Sequence, residues 1–350
     1  MGSMRIGLFT RVFSPSIGGI ETLAETLATE FSIQGHEVTV ITDEPNIASS
    51  VTLNKLFSVV RTQTFEGRVR SFKNVDVILF FNLSLIGLFA AWCAFKPVVM
   101  SHHGIYRGAG RIAVFLEWVK RQLTRYYVNI SVSSFVASKI PGQSIIIHNA
   151  FNSSLFPINH SESKSRDFVF CGRLVPEKGA LLCLQAFKTI LAEFSDATLT
   201  IIGEGAEFSQ LRQFVVDNEL NRQVDFTGPL TGENLADKIR EHTCMVIPSV
   251  WEEPFGIVAL EGLASCDTVI AARSGGLPEA LGPCGLTVEP CERSIGLAMA
   301  SVLKAKASGT TIPGSSSPAL LRAHLAKYLP NVVANRYLNL IRKKFNYDRN

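Results

Sequence analysis

The sequence predicts an α/β protein made of two doubly wound parallel-sheet domains that face each other across a cleft. Three observations support this. The chain has 350 residues, more than the ~150 of one ordinary compact domain. Its composition, 47% apolar and 18% charged, is that of a globular protein. Short apolar runs alternate with helical patterns in two successive series, which is typical of parallel sheets covered by helices.

The first series of strands and helices fills the N-terminal half. Helical spacing is clearest at 20–32 and 110–126, between short runs rich in apolar and β-branched residues. We predict buried strands at 5–10, 37–42, 75–81, 98–102, 128–132 and 144–148.

The second series predicts strands at 167–171, 197–202, 224–227, 245–248, 268–271 and 285–288, with helices at 178–193, 207–219, 233–242 and 256–264. A stretch rich in Ser, Asn and Pro joins the two series, so we predict domains at 1–158 and 159–330. The tail, 331–350, has helical spacing and a strong positive charge that does not match the preceding domain. We expect it to cross back to the first domain.

Several classes of protein are disfavoured. Seven cysteines without a C-x-x-C pattern argue against a disulfide scaffold or zinc knuckle and favour a reducing compartment, the cytoplasm. The apolar stretch 77–100 is interrupted by Asn82 and by Lys96-Pro97, so its helical part is shorter than the ~20 residues that a bilayer requires. No P-loop motif and no Asp-x-Asp pair occurs, so we expect no metal site.

The net charge of +4 is unevenly distributed. Residues 1–160 hold 14 Lys/Arg and 9 Asp/Glu, whereas residues 161–330 hold 15 Lys/Arg and 20 Asp/Glu. Within the first half, 55–139 carries 12 basic and 3 acidic residues. This excess indicates either a solvated basic face or an anionic partner, such as a phosphorylated acceptor or a membrane surface. We expect no nucleic-acid partner.

Two carboxylates flank a predicted helix start after the strand at 245–248. Glu253 precedes the helix and Glu261 lies about two turns inside it, so they would be separated by ~12 Å along the axis. They could contact the two ends of an extended ligand whose phosphates lie at the helix N-terminus, where free N–H groups and the dipole favour anions. That geometry suits a nucleotide-sugar. The alternative is a helix cap and a buried salt bridge.

A second loop, Cys171 to Gly179, follows a predicted strand and carries Arg173 and Lys178. Two cations suit a diphosphate, unless this is an ordinary basic loop. Gly18 and Gly19 follow the first strand, where paired glycines let a backbone approach a ligand. At the end of another strand, His103 could hydrogen-bond a sugar or move a proton, although a structural histidine is the alternative.

Taken together, these motifs resemble retaining glycosyltransferase family 4. The resemblance is carried by E-P-F-G-x-x-x-x-E at 253–261, G-R-x-x-x-x-K-G at 172–179, the Gly18-Gly19 loop, I-H-N-A at 147–150, G-x-G at 203–205 and D-F-T-G at 225–228. It implies a GT-B fold of two Rossmann-like domains, with the acceptor on the N-terminal domain and the donor on the C-terminal one, and neither metal nor cofactor.

The resemblance also implies roles for single residues. Glu253 would contact the donor sugar, Glu261 the ribose hydroxyls, and Arg173 and Lys178 the diphosphate. His103 is the match for a sugar-contacting histidine, with the neighbouring His102 as the alternative. The remaining donor-binding residues would act through backbone or apolar contacts: Gly18, Gly19, Gly203, Leu230, Phe255, Gly256, Ile257 and Val258.

The implied activity is transfer of a hexose-type sugar, with retention, from a nucleotide-sugar (UDP being the most frequent) to a glycan or polyprenyl-linked acceptor in polysaccharide or glycoconjugate biosynthesis. Charge would develop on the leaving diphosphate, where the two cations and the helix N-terminus lie. Two alternatives remain: a nucleotide-sugar 2-epimerase on a similar fold, and a non-catalytic nucleotide-sugar-binding homologue.

The helix predicted near 110–127 has two distinct stripes. On a helical wheel, one stripe predicts a core-facing side: Ile112, Phe115, Leu116, Val119, Leu123 and Tyr126. The adjacent stripe mixes cations with apolar residues: Arg111, Val114, Trp118, Arg121 and Arg125. This second stripe suits an anionic headgroup layer, which would place the protein at the inner face of the plasma membrane. The alternative is that these side chains are simply solvated.

Overall fold

The structure, a computed structural model, describes residues 2–14, 18–45, 56–106, 110–158, 164–345 and 347. It divides into two compact units. The N-terminal unit comprises Met1–Ala150 and Tyr328–Asn350, and the C-terminal unit comprises Phe151–Lys327. The sequence placed the first boundary at 158/159. Residues after 150 belong to the C-terminal unit because Phe156 is buried and the carbonyl of Leu155 accepts a hydrogen bond from Arg240.

The N-terminal unit is built on a parallel sheet whose described strands follow the order β3-β2-β1-β4-β5-β6-β7. The strands are β1 (Arg5–Thr10), β2 (Glu37–Thr42), β3 (Ser58–Arg61), β4 (Val77–Phe81), β5 (Val98–His102), β6 (Val128–Ser131) and β7 (Ser144–Ile146). The connecting helices are α1 (Gly19–Ile33), α2 (Phe65–Lys73), α3 (Leu85–Cys93), α4 (Arg111–Leu123) and α5 (Ser134–Lys139).

Three of these helices begin where a hydroxyl side chain satisfies a free backbone N–H. Thr64 caps α2, Ser84 caps α3 and Ser133 caps α5, each accepting a hydrogen bond from the N–H group three residues later. These caps fix the points at which the chain leaves the carboxyl edge of the sheet.

The C-terminal unit has a second parallel sheet, whose described strands follow the order β10-β9-β8-β11-β12-β13. The strands are β8 (Arg166–Cys171), β9 (Leu199–Ile202), β10 (Val224–Gly228), β11 (His242–Ile247), β12 (Thr268–Ala272) and β13 (Leu286–Val288). Its helices are α6 (Ala180–Ile190), α7 (Phe208–Asp217), α8 (Gly232–Arg240), α9 (Ile257–Ser265), α10 (Leu277–Leu281), α11 (Glu292–Ser308) and α12 (Pro318–Leu325).

The last helix, α13 (Pro330–Phe345), belongs to the N-terminal unit. Its residues Val333, Tyr337 and Ile341 are fully buried in the core that α1 also covers. On the opposite face of the same sheet, α2, α3 and the end of α4 enclose a separate core around Phe9 and Phe80.

The predicted class, two Rossmann-like parallel-sheet units, is confirmed. Two details differ. Strand β3 was not predicted, because its four residues are at most half-buried and lie at the edge of the sheet. The helix predicted at 233–242 ends earlier, and His242 instead begins β11, where its ring bonds the hydroxyl of Thr200 at 2.8 Å.

The helix predicted at 110–126 exists, but its predicted core-facing stripe is wrong. Ile112, Phe115 and Tyr126 are exposed, and no residue of α4 is fully buried. Contact with the core is limited to half-buried residues such as Leu123. The helical period alone therefore did not identify the side that faces the sheet. Among the described residues, no helix has the length and apolarity needed to cross a bilayer.

Candidate active site

In the C-terminal sheet, the chain order reverses between β8 and β11, and the loops that follow these two strands meet at the carboxyl edge. Such a reversal point is where open α/β sheets form ligand crevices. The N–H groups of Val250 and Trp251 both bond the carbonyl of Glu177, at 3.1 and 3.3 Å. Gly179 has φ +73°, and a Cβ there would lie 2.5 Å from the carbonyl oxygen of Pro248. The two loops are thus packed backbone to backbone.

This packing brings together Lys178 and Glu253, which are far apart in sequence. Lys178 Nζ lies 2.5 Å from Glu253 Oε1, and Ser249 Oγ donates to the same oxygen at 3.0 Å. The Glu253 side chain is 10% exposed, so its charge is compensated by this ion pair rather than by water. Glu253 Oε2 has no hydrogen-bond partner among the described residues and can accept a bond from a ligand hydroxyl.

Ser249 is a residue of this site that the sequence analysis missed. It is buried, two residues after the end of β11. Its position at the carboxyl end of a parallel strand was a usable signal, because ligand-binding groups in α/β sheets concentrate there.

A third loop folds onto the backbone of Glu253. The N–H of Gly276 donates to the carbonyl of Glu253 at 2.6 Å, and Ser274 Oγ donates to the carbonyl of Trp251. Gly275 has φ +57°, and a Cβ there would collide with the Glu253 backbone. These contacts fix the segment that leads from β11 into α9.

Helix α9 begins at Ile257, after Gly256 at φ +98°. The N–H groups of Ile257 and Val258 lie in the first helical turn, where no preceding turn supplies an acceptor. Phe255 is fully buried beneath this turn. The N-terminus of α9 therefore follows directly after the Lys178–Glu253 pair and can stabilise negative charge.

Glu261 lies one turn further along α9 and is half-buried. Burial raises the pKa of its carboxyl group from 4.5 to about 7. Burial also raises the pKa of the Cys171 thiol, and the nearby charge of Glu261 adds to this effect, which puts the carboxylate close to the end of β8. Glu261 has no hydrogen bond or ion pair with a described residue.

The other predicted donor-site residues lie on neighbouring loops at the same edge of the sheet. Arg173 follows β8, is exposed, and forms no ion pair within the described part of the chain. Gly203 follows β9 with φ +140°, where a Cβ would collide with the carbonyl of Gly172. Leu230 follows β10 and is half-buried. Glycine at 203 is thus explained by close packing of two turns.

The N-terminal unit has a cavity of about 650 Å³ at its own reversal point, between β1 and β4. Its walls include Thr10, Arg11, Asn82, Tyr106 and Lys120. The start of α1 adds Ile20 and Glu21, just after the predicted glycine pair. Gly18 caps α1 in an extended conformation and Gly19 is its first residue, whereas Ser16 and Ile17 of that motif lie outside the described residues.

The two adjacent histidines are placed very differently. Asn129 Nδ2 donates to three carbonyls, so its Oδ1 is the acceptor for His102 Nε2 at 3.0 Å. His102 Nδ1 must then accept from the hydroxyl of Tyr106 at 2.6 Å. Burial lowers the pKa of His102 to about 4, so the ring is neutral. With both nitrogens bonded inside the unit, His102 is structural.

His103 keeps one ring nitrogen unbonded. Its Nε2 lies 2.8 Å from Ser101 Oγ, which is 2.7 Å from the hydroxyl of Tyr337 on α13. The ring stacks on Phe81, with centroids 5.2 Å apart. Burial, helped by His102, lowers the pKa of His103 to about 3. Its Nδ1 is buried and lacks a hydrogen-bond partner among the described residues. Oδ1 of Asn149 is likewise buried without such a partner, and the Asn149 side chain partly offsets the lowering of the His103 pKa.

Two family patterns match successive parts of the chain. Residues 17–144 match Glycosyltransferase Family 4, and residues 151–309 match Glycosyl transferases group 1. The chain belongs to glycosyltransferase family 4. An uncharacterised glycosyltransferase of Methanocaldococcus jannaschii is 25% identical over 293 residues, which cover 78% of this chain and 80% of that protein.

Other relatives span a comparable length. The GPI3 subunit of phosphatidylinositol N-acetylglucosaminyltransferase from Saccharomyces cerevisiae is 24% identical over 332 residues, covering 83% of this chain and 72% of that protein. Anabaena HepE, solved with UDP and glucose, superposes with a TM-score of 0.80 at 17% identity, covering 97% of this chain and 100% of that one. Sucrose-phosphate synthase from Thermosynechococcus elongatus superposes with a TM-score of 0.78 at 21% identity, covering 98% of this chain and 99% of that one. These likenesses confirm the predicted GT-B fold of this glycosyltransferase.

Among the residues that the structure describes, no group of three or more His, Cys, Asp or Glu side chains is arranged to hold a metal ion. Charged residues on the loops at the reversal point of the C-terminal sheet include Lys178, Glu253, Glu261 and Arg173.

Proposed function

We propose that this glycosyltransferase moves a hexose-type sugar from a UDP-sugar to a glycan or polyprenyl-linked acceptor, with retention at the anomeric carbon. The observation that carries the donor assignment is the convergence of Lys178, Glu253 and the start of α9 at the reversal point of the C-terminal sheet. UDP is favoured because the similarly folded Anabaena protein was solved with UDP and glucose.

Each part of a nucleotide-sugar has a counterpart in the C-terminal unit. Glu253 Oε2 would accept hydrogen bonds from the sugar, and Glu261 would accept bonds from the ribose hydroxyls. Lys178 has two further N–H groups besides the one directed at Glu253, and these would meet the diphosphate together with Arg173 and the N–H groups of Ile257 and Val258. Gly203 and Leu230 would border the nucleotide.

The chemistry proposed is departure of the diphosphate on the face that the acceptor attacks. Negative charge grows on the leaving phosphate oxygens, and stabilising it is the largest contribution that preorganised cations and a helix N-terminus can make. A phosphate oxygen would take the acceptor's proton. Since protein cations supply the positive charge, we propose that the reaction needs neither a metal ion nor a cofactor.

For the N-terminal unit we propose the acceptor role. Its cavity of about 650 Å³ is large enough for a sugar-sized group. His103, whose ring is neutral and has an unbonded Nδ1, would hydrogen-bond the transferred sugar, and Gly18 and Gly19 would approach the phosphates. We place the protein in the cytoplasm, at the inner face of the plasma membrane, in polysaccharide or glycoconjugate biosynthesis.

Incubation with labelled nucleotide-sugars, without acceptor, tests this function. The proposal predicts slow hydrolysis of one of them, with the free sugar appearing together with the nucleoside diphosphate. Glu253→Gln should abolish the reaction. Formation of an epimeric nucleotide-sugar would instead identify a 2-epimerase, and binding without any turnover, even with glycan and polyprenyl acceptors, would identify a non-catalytic homologue.

A further inference from the structure

Helix α3 is apolar on both sides. Its inner residues, such as Leu88 and Ala91, are buried against the sheet. Its outer residues are also large and apolar: Ile86 is 60% exposed and Trp92 66%. The helix contains no charged residue. A surface helix normally presents polar groups to water, and a helix that is apolar all round is normally buried. The outer side of α3 therefore exposes to water an apolar surface of the kind that is normally covered by another apolar surface.

An aromatic ridge continues this surface. The ring of Phe65, at the start of α2, stacks on Phe89 with centroids 5.4 Å apart, and Phe89 lies 5.8 Å from Trp92. Just past the end of α3, Phe95 has φ +54°, a left-handed conformation that is costly for an aromatic residue. Its side chain is nevertheless 89% exposed. This conformation ends α3, where the N–H groups of Phe95 and Lys96 donate to the carbonyls of Trp92 and Ala91 at 3.0 and 3.2 Å, and it leaves a large aromatic ring in water.

Helix α4 extends the same layer. Helices α3 and α4 make successive connections, from β4 to β5 and from β5 to β6, and both reach the core on the Phe9–Phe80 side of the sheet. The outer residues of α4 include Ile112, Phe115 and Trp118, each more than half exposed. We call this surface the α3–α4 face; it consists of Phe65, Ile86, Phe89, Trp92, Phe95, Ile112, Phe115 and Trp118.

Exposed cations outnumber exposed acids on the helices that flank or carry the α3–α4 face. Arg70 and Lys73 end α2 and are exposed, as are Arg111, Arg121 and Arg125 around α4. None of the five forms an ion pair with a described residue. The acidic residue of α4, Glu117, is neutralised by Lys120 at 2.6 Å. An apolar surface bordered by unpaired cations complements an anionic bilayer, whereas a second copy of the same face would bring like charges together.

We propose that the α3–α4 face docks this protein on an anionic lipid bilayer. The aromatic ridge inserts at the headgroup boundary, and the arginines contact lipid phosphates. The link to the reaction rests on the proposed transfer to a lipid-linked acceptor. Helix α4 also supplies Lys120 to the wall of the 650 Å³ cavity, so a headgroup-bearing acceptor in the docked bilayer would lie beside that cavity.

Vesicle flotation with the full chain tests the proposal, using phosphatidylcholine vesicles with and without phosphatidylglycerol. The wild type should float with the anionic vesicles at low salt and much less at high salt. Each basic group near the surface is worth about a factor of five, so Arg111→Glu/Arg121→Glu/Arg125→Glu should lose at least ~100-fold in partition. Trp92→Ser/Phe95→Ser should lose ~10-fold or more through lost apolar burial.

Matched controls come from surfaces outside this face. Ile33→Ser/Leu297→Ser removes two apolar side chains that are 63% and 64% exposed, and Arg222→Glu/Arg293→Glu/Arg322→Glu reverses three exposed charges on the C-terminal unit that form no ion pair with a described residue. Both should float like the wild type. The inference is overturned if the wild type ignores anionic vesicles, if the face variants float like the controls, or if sedimentation shows a dimer that Trp92→Ser/Phe95→Ser dissociates. UDP titration of every variant keeps this test separate from the proposed function, because face variants should retain UDP binding whether or not vesicles are bound.

Discussion

Replacing Glu261 by Gln should stabilise the protein at alkaline pH while weakening nucleotide binding. The pKa of this carboxyl group is about 7 in the folded protein and 4.5 in the unfolded chain. Between these values the folded state retains a proton that the unfolded state releases. The free energy of unfolding therefore falls as the pH rises from 4.5 to 7, and the loss persists above pH 7. Gln does not titrate, so the variant escapes this loss.

The magnitude follows from the size of the shift. A raised pKa of this extent corresponds to at most ~3 kcal/mol, and partial exposure of Glu261 reduces the expected gain to ~1–2 kcal/mol at pH 8. At pH 5, close to the unfolded-state pKa, only a small part of this loss has occurred, so the two proteins should differ little. Urea unfolding of both at pH 5 and pH 8 measures the difference. The reasoning is refuted if the Gln variant is less stable than the wild type at pH 8, or if its free energy of unfolding differs from that of the wild type by the same amount at both pH values.

The same residue should make UDP binding pH-dependent. Ribose hydroxyls that donate to Glu261 favour its ionised form, so the affinity should rise between pH 6 and pH 8 and level off above the pKa. The phosphate of UDP also titrates near pH ~6, and Glu261→Gln isolates that contribution because only the ligand then changes charge. A pH profile that is identical in the wild type and the variant would contradict the ribose assignment.

Three further predictions concern the remaining site residues. Lys178→Ala should reduce turnover ~10- to 100-fold, since a hydrogen bond to a charged group contributes ~1.5–3 kcal/mol. The double variant Lys178→Met/Glu253→Gln should recover the stability that Lys178→Ala loses, but not the activity. Turnover of Lys178→Ala within twofold of wild type would refute the phosphate role. Activity should survive EDTA, and full loss restored by Mn²⁺ would contradict the metal-free proposal. His102→Ala should destabilise the N-terminal unit by ~2–3 kcal/mol through two lost buried hydrogen bonds, whereas His103→Gln should mainly reduce turnover. Urea unfolding and steady-state kinetics of both variants test this assignment. It is refuted if His103→Gln mainly lowers stability and His102→Ala mainly lowers turnover.

Most strands and several of the covering helices could be predicted, because buried parallel strands appear in sequence as short apolar runs between helical patterns. Strand β3 could not, since an edge strand with half-buried residues lacks that signature. For α4, helical periodicity identified two stripes, but both are rich in apolar residues, and nothing local shows which one the sheet covers. Tertiary contact, not pattern, decided that outcome.

The sequence singled out candidate site residues one at a time, but not their arrangement. Lys178 and Glu253 each stood out as a charged group near the end of a strand, yet their ion pair depends on the adjacency of β8 and β11 in the sheet. Tyr337 gave no signal in sequence, because its contact with Ser101 exists only when α13 returns to the N-terminal unit. Contacts between distant segments require the topology, which sequence patterns specify only in outline.

The measurement that tests the central claim most directly is calorimetric titration of UDP, with GDP alongside, into the wild type and Lys178→Glu. If the reversal point of the C-terminal sheet holds the nucleotide diphosphate, one nucleotide should bind the wild type with a single site, and the charge reversal should weaken that binding at least ~10-fold while leaving the fold intact. Binding of neither nucleotide to the wild type, or equal binding to both proteins, would contradict the account.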